Sequence, residues 1–254
     1  MISSLIPHHP ALLFAQTPLE KVKNDYSVQI KKYNQAKEDY ITAKSNYAAF
    51  NTAASKADAF LKTKEYLVQT NFLIANYLLV IKESSNQISW ENLIYNKDTA
   101  LKPIDEEINY LQENWRQIEK TSKLEDLPPI ATQLSAHLEN STKPITNKVL
   151  TTYEVIKSEQ AINRFNQISQ KLKSFIEPRI SEGNRSIVNN WQSEIDRIKK
   201  ETEANMALAK LDFETFVVDR PNDYQKEKVL QSTKLISQEL SKSKTLFNEI
   251  LRII

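Results

Sequence analysis

Residues 17–61 read TPLEKVKNDYSVQIKKYNQAKEDYITAKSNYAAFNTAASKADAFL, and this stretch decides the fold. Leu19, Tyr26, Tyr33, Tyr40, Tyr47, Ala54 and Leu61 recur every seven residues; Val22, Gln29, Ala36, Ala43, Phe50 and Ala57 each follow three residues later. Alternating steps of three and four return side chains to one stripe of a helix. Sustained over about six heptads, they predict long helices with coiled-coil-like packing. Rings on one seam and methyl groups on the other let a second helix approach closely while each phenol reaches water or a polar partner at the edge. Tyr26, Tyr33, Tyr40 and Tyr47 are therefore candidates for an interaction face. The competing reading is that they pack inside the chain's own core.

The ends of this stretch carry local signals. Thr17-Pro18-Leu19-Glu20 predicts a helix start, with Thr as N-cap, Pro at the first helical position and Glu reaching back to close a capping box. Ser55-Lys56-Ala57-Asp58 offers a second box, but the heptad phase runs through it, which favours one helix over roughly 18–84 rather than two meeting near 51–55. Between Tyr66 and Ile81 apolar residues occupy nearly every face, so this part is expected inside the bundle. Ser84-Ser85-Asn86 reads as a turn.

Outward from there the punctuation is proline. A short helix and a loop are expected over Ile88–Ala100. A third long helix is then expected after Lys102-Pro103, with Ile104, Ile108, Leu111, Trp115 and Ile118 as its stripe and Asp105, Glu106 and Glu107 near its positive end. Leu127-Pro128-Pro129 predicts a corner, and Pro144 a kink or break in the next helix. That helix carries Ala161, Phe165, Ile168, Leu172 and Phe175 and ends near Glu177-Pro178. Gly183 marks the place for a glycine-assisted helix stop. Two further stripes follow, from Ile187 to Phe216 and from Val229 to Ile254, separated by Asp219-Arg220-Pro221-Asn222. Gln29, Thr202, Thr233 and Ser243 sit on the seams, where polar groups can set register.

Composition agrees. The 254 residues include one glycine and no cysteine, where average usage would supply about 18 glycines. Folds rich in tight turns, and loops that cradle phosphate, need glycine for positive φ, so a Rossmann domain, a P-loop, a barrel and a β-sandwich are disfavoured. Thirty-four Lys+Arg against 32 Asp+Glu leave a net charge of +2, with no basic stripe of the kind nucleic acid requires. The richest apolar run, Phe72 to Ile81, is far short of the about 20 residues of a membrane span. The fold class is all-α: an elongated antiparallel bundle of long helices, with residues 17–254 as one domain.

Chemistry is sparse in the pattern. His8-His9 reads as a solvated pair and His137 as a surface or boundary histidine near Glu139, lacking a Glu-x-x-His repeat. No catalytic residue, metal site or cofactor is expected, and the chain is not expected to be an enzyme. Residues 1–16, MISSLIPHHPALLFAQ, hold no charge and end in a small-residue boundary, which reads as an N-terminal arm or the remnant of an export signal.

From Phe14-Ala15-Gln16-Thr17 through Tyr26, Tyr33 and Tyr40 to Lys62-Thr63-Lys64-Glu65-Tyr66-Leu67, the sequence resembles uncharacterised exported helical proteins of candidate-phylum bacteria, mainly over residues 14–85. The resemblance implies an extracytoplasmic helical protein and no particular activity, ligand or catalytic residue. This chain departs from it in lacking a basic signal start. The functional expectation is a non-enzymatic structural or protein-interaction protein of the cell envelope or exterior, bound to a partner or to itself through helical faces, with no nucleic acid and no transmembrane segment. A cytoplasmic location is the alternative to an extracytoplasmic one. A small-ligand-binding bundle, with Tyr and Trp lining a cavity, and an amphipathic lipid-binding bundle with peripheral membrane contact are the alternative functions.

Overall fold

The computed structural model describes residues 17–90, 96–218 and 223–253. His8-His9, the Ala15-Gln16 boundary, the break at Asp219–Asn222 and Ile254 lie outside them. The described residues form α1 (Pro18–Phe50), α2 (Ala53–Asn86), α3 (Lys97–Lys120), α4 (Leu127–His137), α5 (Lys143–Ile176), α6 (Arg185–Val218) and α7 (Asp223–Ile253), joined by short turns. The all-α expectation holds, and the molecule is long and thin. Helices of 33 and 34 residues are about 50 Å in length. The accessible surface is 16480 Å², against about 11,500 Å² for a compact protein of this mass.

The Thr17 capping box forms as expected: the Thr17 hydroxyl accepts from the Glu20 amide at 3.2 Å, and the Thr17 amide donates to the Glu20 carboxylate at 2.9 Å. The single helix over 18–84 does not. α1 stops at Phe50, Asn51 takes the left-handed conformation with φ 49°, and Thr52 caps α2. Ser55 serves as the third residue of that cap rather than as the cap itself. Asn tolerates left-handed geometry better than other residues with a Cβ, so no glycine is needed to reverse the chain. The seven-residue phase continues past the break only in the sequence: Phe50, Ala54, Ala57 and Leu61 are exposed, and the first buried residue of α2 is Ala59.

α1 and α2 therefore form an antiparallel hairpin, on which α3 packs antiparallel to α2: Phe72 meets Trp115, and Lys82 pairs with Asp105 at 2.5 Å. Sandwiched this way, α2 buries Leu67, Val68, Leu78 and Ile81, as its apolar circumference predicts. The third helix begins at Lys97, earlier than expected, and Pro103 lies inside it. Asn96 caps the start by accepting from the Asp98 amide at 2.9 Å. Leu101 and Ile104 are buried against α2 and Ala100 is buried beside them in sequence, which outweighs the hydrogen bond that Pro103 cannot donate. Lys97–Ala100 thus belong to α3 rather than to a separate short helix.

The second half is a three-helix bundle. Val155 packs with Phe213, Phe216 and Val229; Ile162 with Met206, Ala209 and Ile236; Ile176 with Val188 and Ile250. Along α5 these partners descend in α6 and ascend in α7, so α6 runs antiparallel to both. The N-terminal part of α5 instead joins α2 and α3, through Val149 in the cluster of Leu78, Ile104 and Leu111. α5 is the shared spine, and the core is five small clusters in series. Gly183 lies in a short turn, Glu182–Asn184, and among the described residues no glycine has positive φ. The expected glycine stop is absent because the chain turns there through two short 3₁₀ segments in ordinary backbone conformations.

Candidate functional site

The tyrosine ladder faces the chain's own second helix. Tyr26 packs on Tyr77 with ring centroids 5.8 Å apart, and Tyr33 and Tyr40 both pack on Tyr66, the latter stacked at 5.0 Å. All four candidate tyrosines are half-buried, Tyr47 lying nearest the hairpin tip. Between the rings, Ala36 and Ala43 are buried, which brings the helices close. The phenols of Tyr33 and Tyr66 lie 3.3 Å apart. Burial and then this hydrogen bond push the Tyr66 phenol up to about 12. Burial also raises the Tyr77 phenol. Gln29 sets register across the hairpin, donating to the Gln69 side chain at 2.6 Å, and Asp39 pairs with Lys62 at 2.7 Å. Thr202, Thr233 and Ser243 are buried too, but each hydroxyl bonds back to its own helix and carries no register between helices.

A polar cluster that the periodicity did not show lies where α4 meets α5. Pro144 has no amide hydrogen, and the chain meets it with a π-turn over Leu138–Thr142, in which the Lys143 amide donates to the Leu138 carbonyl. Residues five apart on an α-helix diverge by about 140°, whereas the wider π-turn, with its i→i+5 bond, brings them toward one side. His137 and Thr142, five apart, consequently face one carboxylate, Glu107 of α3. Its oxygens are 3.0 and 3.2 Å from His137 Nε2, and the Thr142 hydroxyl donates at 2.5 Å. Glu107 is only 5% exposed, so these partners replace the water it has lost. Tyr110 stacks on the imidazole with centroids 3.5 Å apart, and burial followed by the Glu107 charge raises its phenol.

His137 sits at the boundary, about a quarter exposed, as its sequence reading has it, but the carboxylate it meets is not the one near it in sequence. Its partner is Glu107, and Glu139 pairs with Lys143. A signal was present: Ile104, Glu107, Leu111, Asn114 and Ile118 alternate by three and four, so Glu107 and Asn114 occupy a seam. Both are buried, and Asn114 accepts from Asn71 at 3.0 Å.

Two clefts flank α5. One, of about 220 Å³ between α5 and α6, is walled by Leu172, Ile176, Val188 and Ile195, with the side-chain Oδ1 of Asn166 buried and unbonded beside it. The other is a longer groove of about 500 Å³ between α5 and α7, floored by Ala161, Phe165, Ile168, Leu240 and Phe247. Phe165 and Phe247 stack across it at 5.8 Å. Among the described residues no helix is long and apolar enough to cross a membrane. Compared with protein-family models, curated proteins and solved structures, the chain matches none.

Proposed function

We propose that this protein is a non-enzymatic interaction or structural protein of the cell envelope or exterior, which works by presenting helical faces to a protein partner or to a second copy. The observation that carries this reading is a set of apolar side chains turned to solvent in helical register. On α5, Ile168 and Phe175 are seven apart and 50% and 45% exposed; on α6, Leu208 and Leu211 are three apart and 54% and 61% exposed. Scattered exposed leucines are ordinary, but repeats at helical spacing form stripes that another helix can cover. The Glu107 cluster, with its carboxylate buried between α3 and the π-turn and its histidine at the boundary, acts as a polar joint between the two halves of the rod. The envelope location rests on the uncharged N-terminal stretch and its Ala15-Gln16 boundary.

The test is affinity capture with the full chain on envelope extracts, together with sedimentation velocity of the purified protein. A stoichiometric protein partner or a defined oligomer is expected. A chain that stays monomeric and captures nothing would sink the reading. N-terminal sequencing of the native protein addresses location: a start near Gln16 supports export, and a start at Met1 in a cytosolic fraction overturns it.

A further inference from the structure

The groove between α5 and α7 has a charge pattern as well as an apolar floor. On α5, Ala161, Ile168 and Phe175 repeat every seven residues, and Lys157, Arg164 and Lys171 repeat every seven beside them. All three cations are exposed, and Lys244 adds a fourth on the α7 rim. None of the four makes an ion pair with a described residue, although the chain pairs cations freely elsewhere, as Lys210 with Glu159 at 2.6 Å and Arg197 with Glu239 at 3.2 Å. The ammonium group of Lys157 lies only over its neighbour's ring, 5.9 Å from the centre of Tyr153. No carboxylate lines the groove, and Glu154 lines its extension toward the start of α5.

The geometry points to a docking site for an amphipathic helix of a partner protein, one whose apolar heptad stripe is flanked by Asp and Glu. α5, α6 and α7 fill three positions of a bundle, and the groove is the open fourth. A helix laid there would cover Ile168 and Phe247 with its stripe. In helix pairs the flanking charges choose the partner, and here the receiving side is uniformly basic. The groove is lined from Lys157 to Ile168, about 17 Å along α5, and the exposed stripe continues one heptad further to Phe175, about 27 Å in all. This assignment rests on the interaction reading above and gives it a face and a partner chemistry.

The probe is a pair of labelled synthetic helices of about three heptads, both with Leu and Ile on the stripe, one flanked by Glu and one by Lys. Each is titrated into the full chain by fluorescence anisotropy. The Glu-flanked helix is expected to bind saturably and at least tenfold more tightly than its Lys-flanked twin. The double variant Arg164→Glu, Lys244→Glu is expected to reverse that preference, and Ile168→Ser to weaken both. These positions are solvent-facing, and an unchanged circular dichroism melt verifies the fold. Equal affinity for the two helices, no saturable binding, or indifference to the double variant would each overturn the assignment. So would self-association of the wild-type chain that the double variant abolishes, which makes the occupant a second copy. Pelleting with phosphatidylglycerol vesicles that the double variant abolishes, without peptide selectivity, would overturn it in favour of a membrane. If the peptides fail while affinity capture still returns a stoichiometric partner, the interaction reading stands and only this face is lost.

Discussion

The α1–α2 hairpin and the α5–α7 bundle solve the same problem with different side chains. In the bundle, three helices enclose a line from which water is excluded, and Phe216, Ile198 and Ile236 sit there at 0–1% exposure. The outer helix of the hairpin touches a single neighbour over most of its length and cannot enclose anything. Its buried positions are only Gln29, Ala36 and Ala43, and the large contacts come from half-exposed tyrosines. A phenylalanine ladder in that place would leave ring edges in water; a tyrosine ladder keeps a hydroxyl at the boundary. Two-helix packing selects amphipathic rings, and three-helix packing selects wholly apolar side chains, phenyl and aliphatic alike.

The contrast can be pressed experimentally. Phe216→Ala should destabilise the bundle by about 3–5 kcal/mol, since it empties a closed site, whereas Tyr33→Ala should cost about half as much. Urea unfolding of the two variants measures both, and equal losses would break the comparison. At the joint between the halves, His137→Ala leaves the buried Glu107 carboxylate with the Thr142 hydroxyl alone. A loss of about 2 kcal/mol is expected, with calorimetry as the check.

The ladder should also be sensitive to alkali. Tyr66 ionises in the unfolded chain near 10.0 and in the hairpin at about 12. The folded state therefore holds more protons between these values. The contribution of Tyr66 to stability is complete below pH 10, declines as pH rises toward 12, and is removed in Tyr66→Phe. Ultraviolet titration of phenolate, run beside melts across that window, tests the sign. Smallest of all, Gly183→Ala should stabilise by about 0.4–1 kcal/mol. Its backbone needs no positive φ, and an added methyl meets no atom within 4 Å. A loss on thermal melting would mean the turn requires glycine after all.

Much of the helical content was legible because it is local. Pro18, Pro128 and Pro129 mark helix starts as their chemistry requires, and the stripe from Ile187 to Phe216 is a single helix. The break at Asn51 was obscured because the seven-residue phase continued across it and the reversing residue was an asparagine. Pro103 misled for the opposite reason: a residue that usually bounds a helix was carried inside one by burial of its neighbours. For the candidate sites, the basic and apolar repeats of α5 are readable in the sequence, but their unpaired state is not. Ion pairing between helices depends on which faces meet.

Long helices with few turns follow from the residue pattern alone, since three-and-four spacing and scarce glycine act through the backbone one turn at a time. Tertiary structure decided the rest: that the tyrosines meet Tyr66 and Tyr77 across a hairpin, that Glu107 closes on His137 from 30 residues away, and that one side of α5 remains open. The physical reason is the range of the forces. Propensity and capping act within a few residues, whereas desolvation and charge pairing depend on neighbours that only the folded chain brings together.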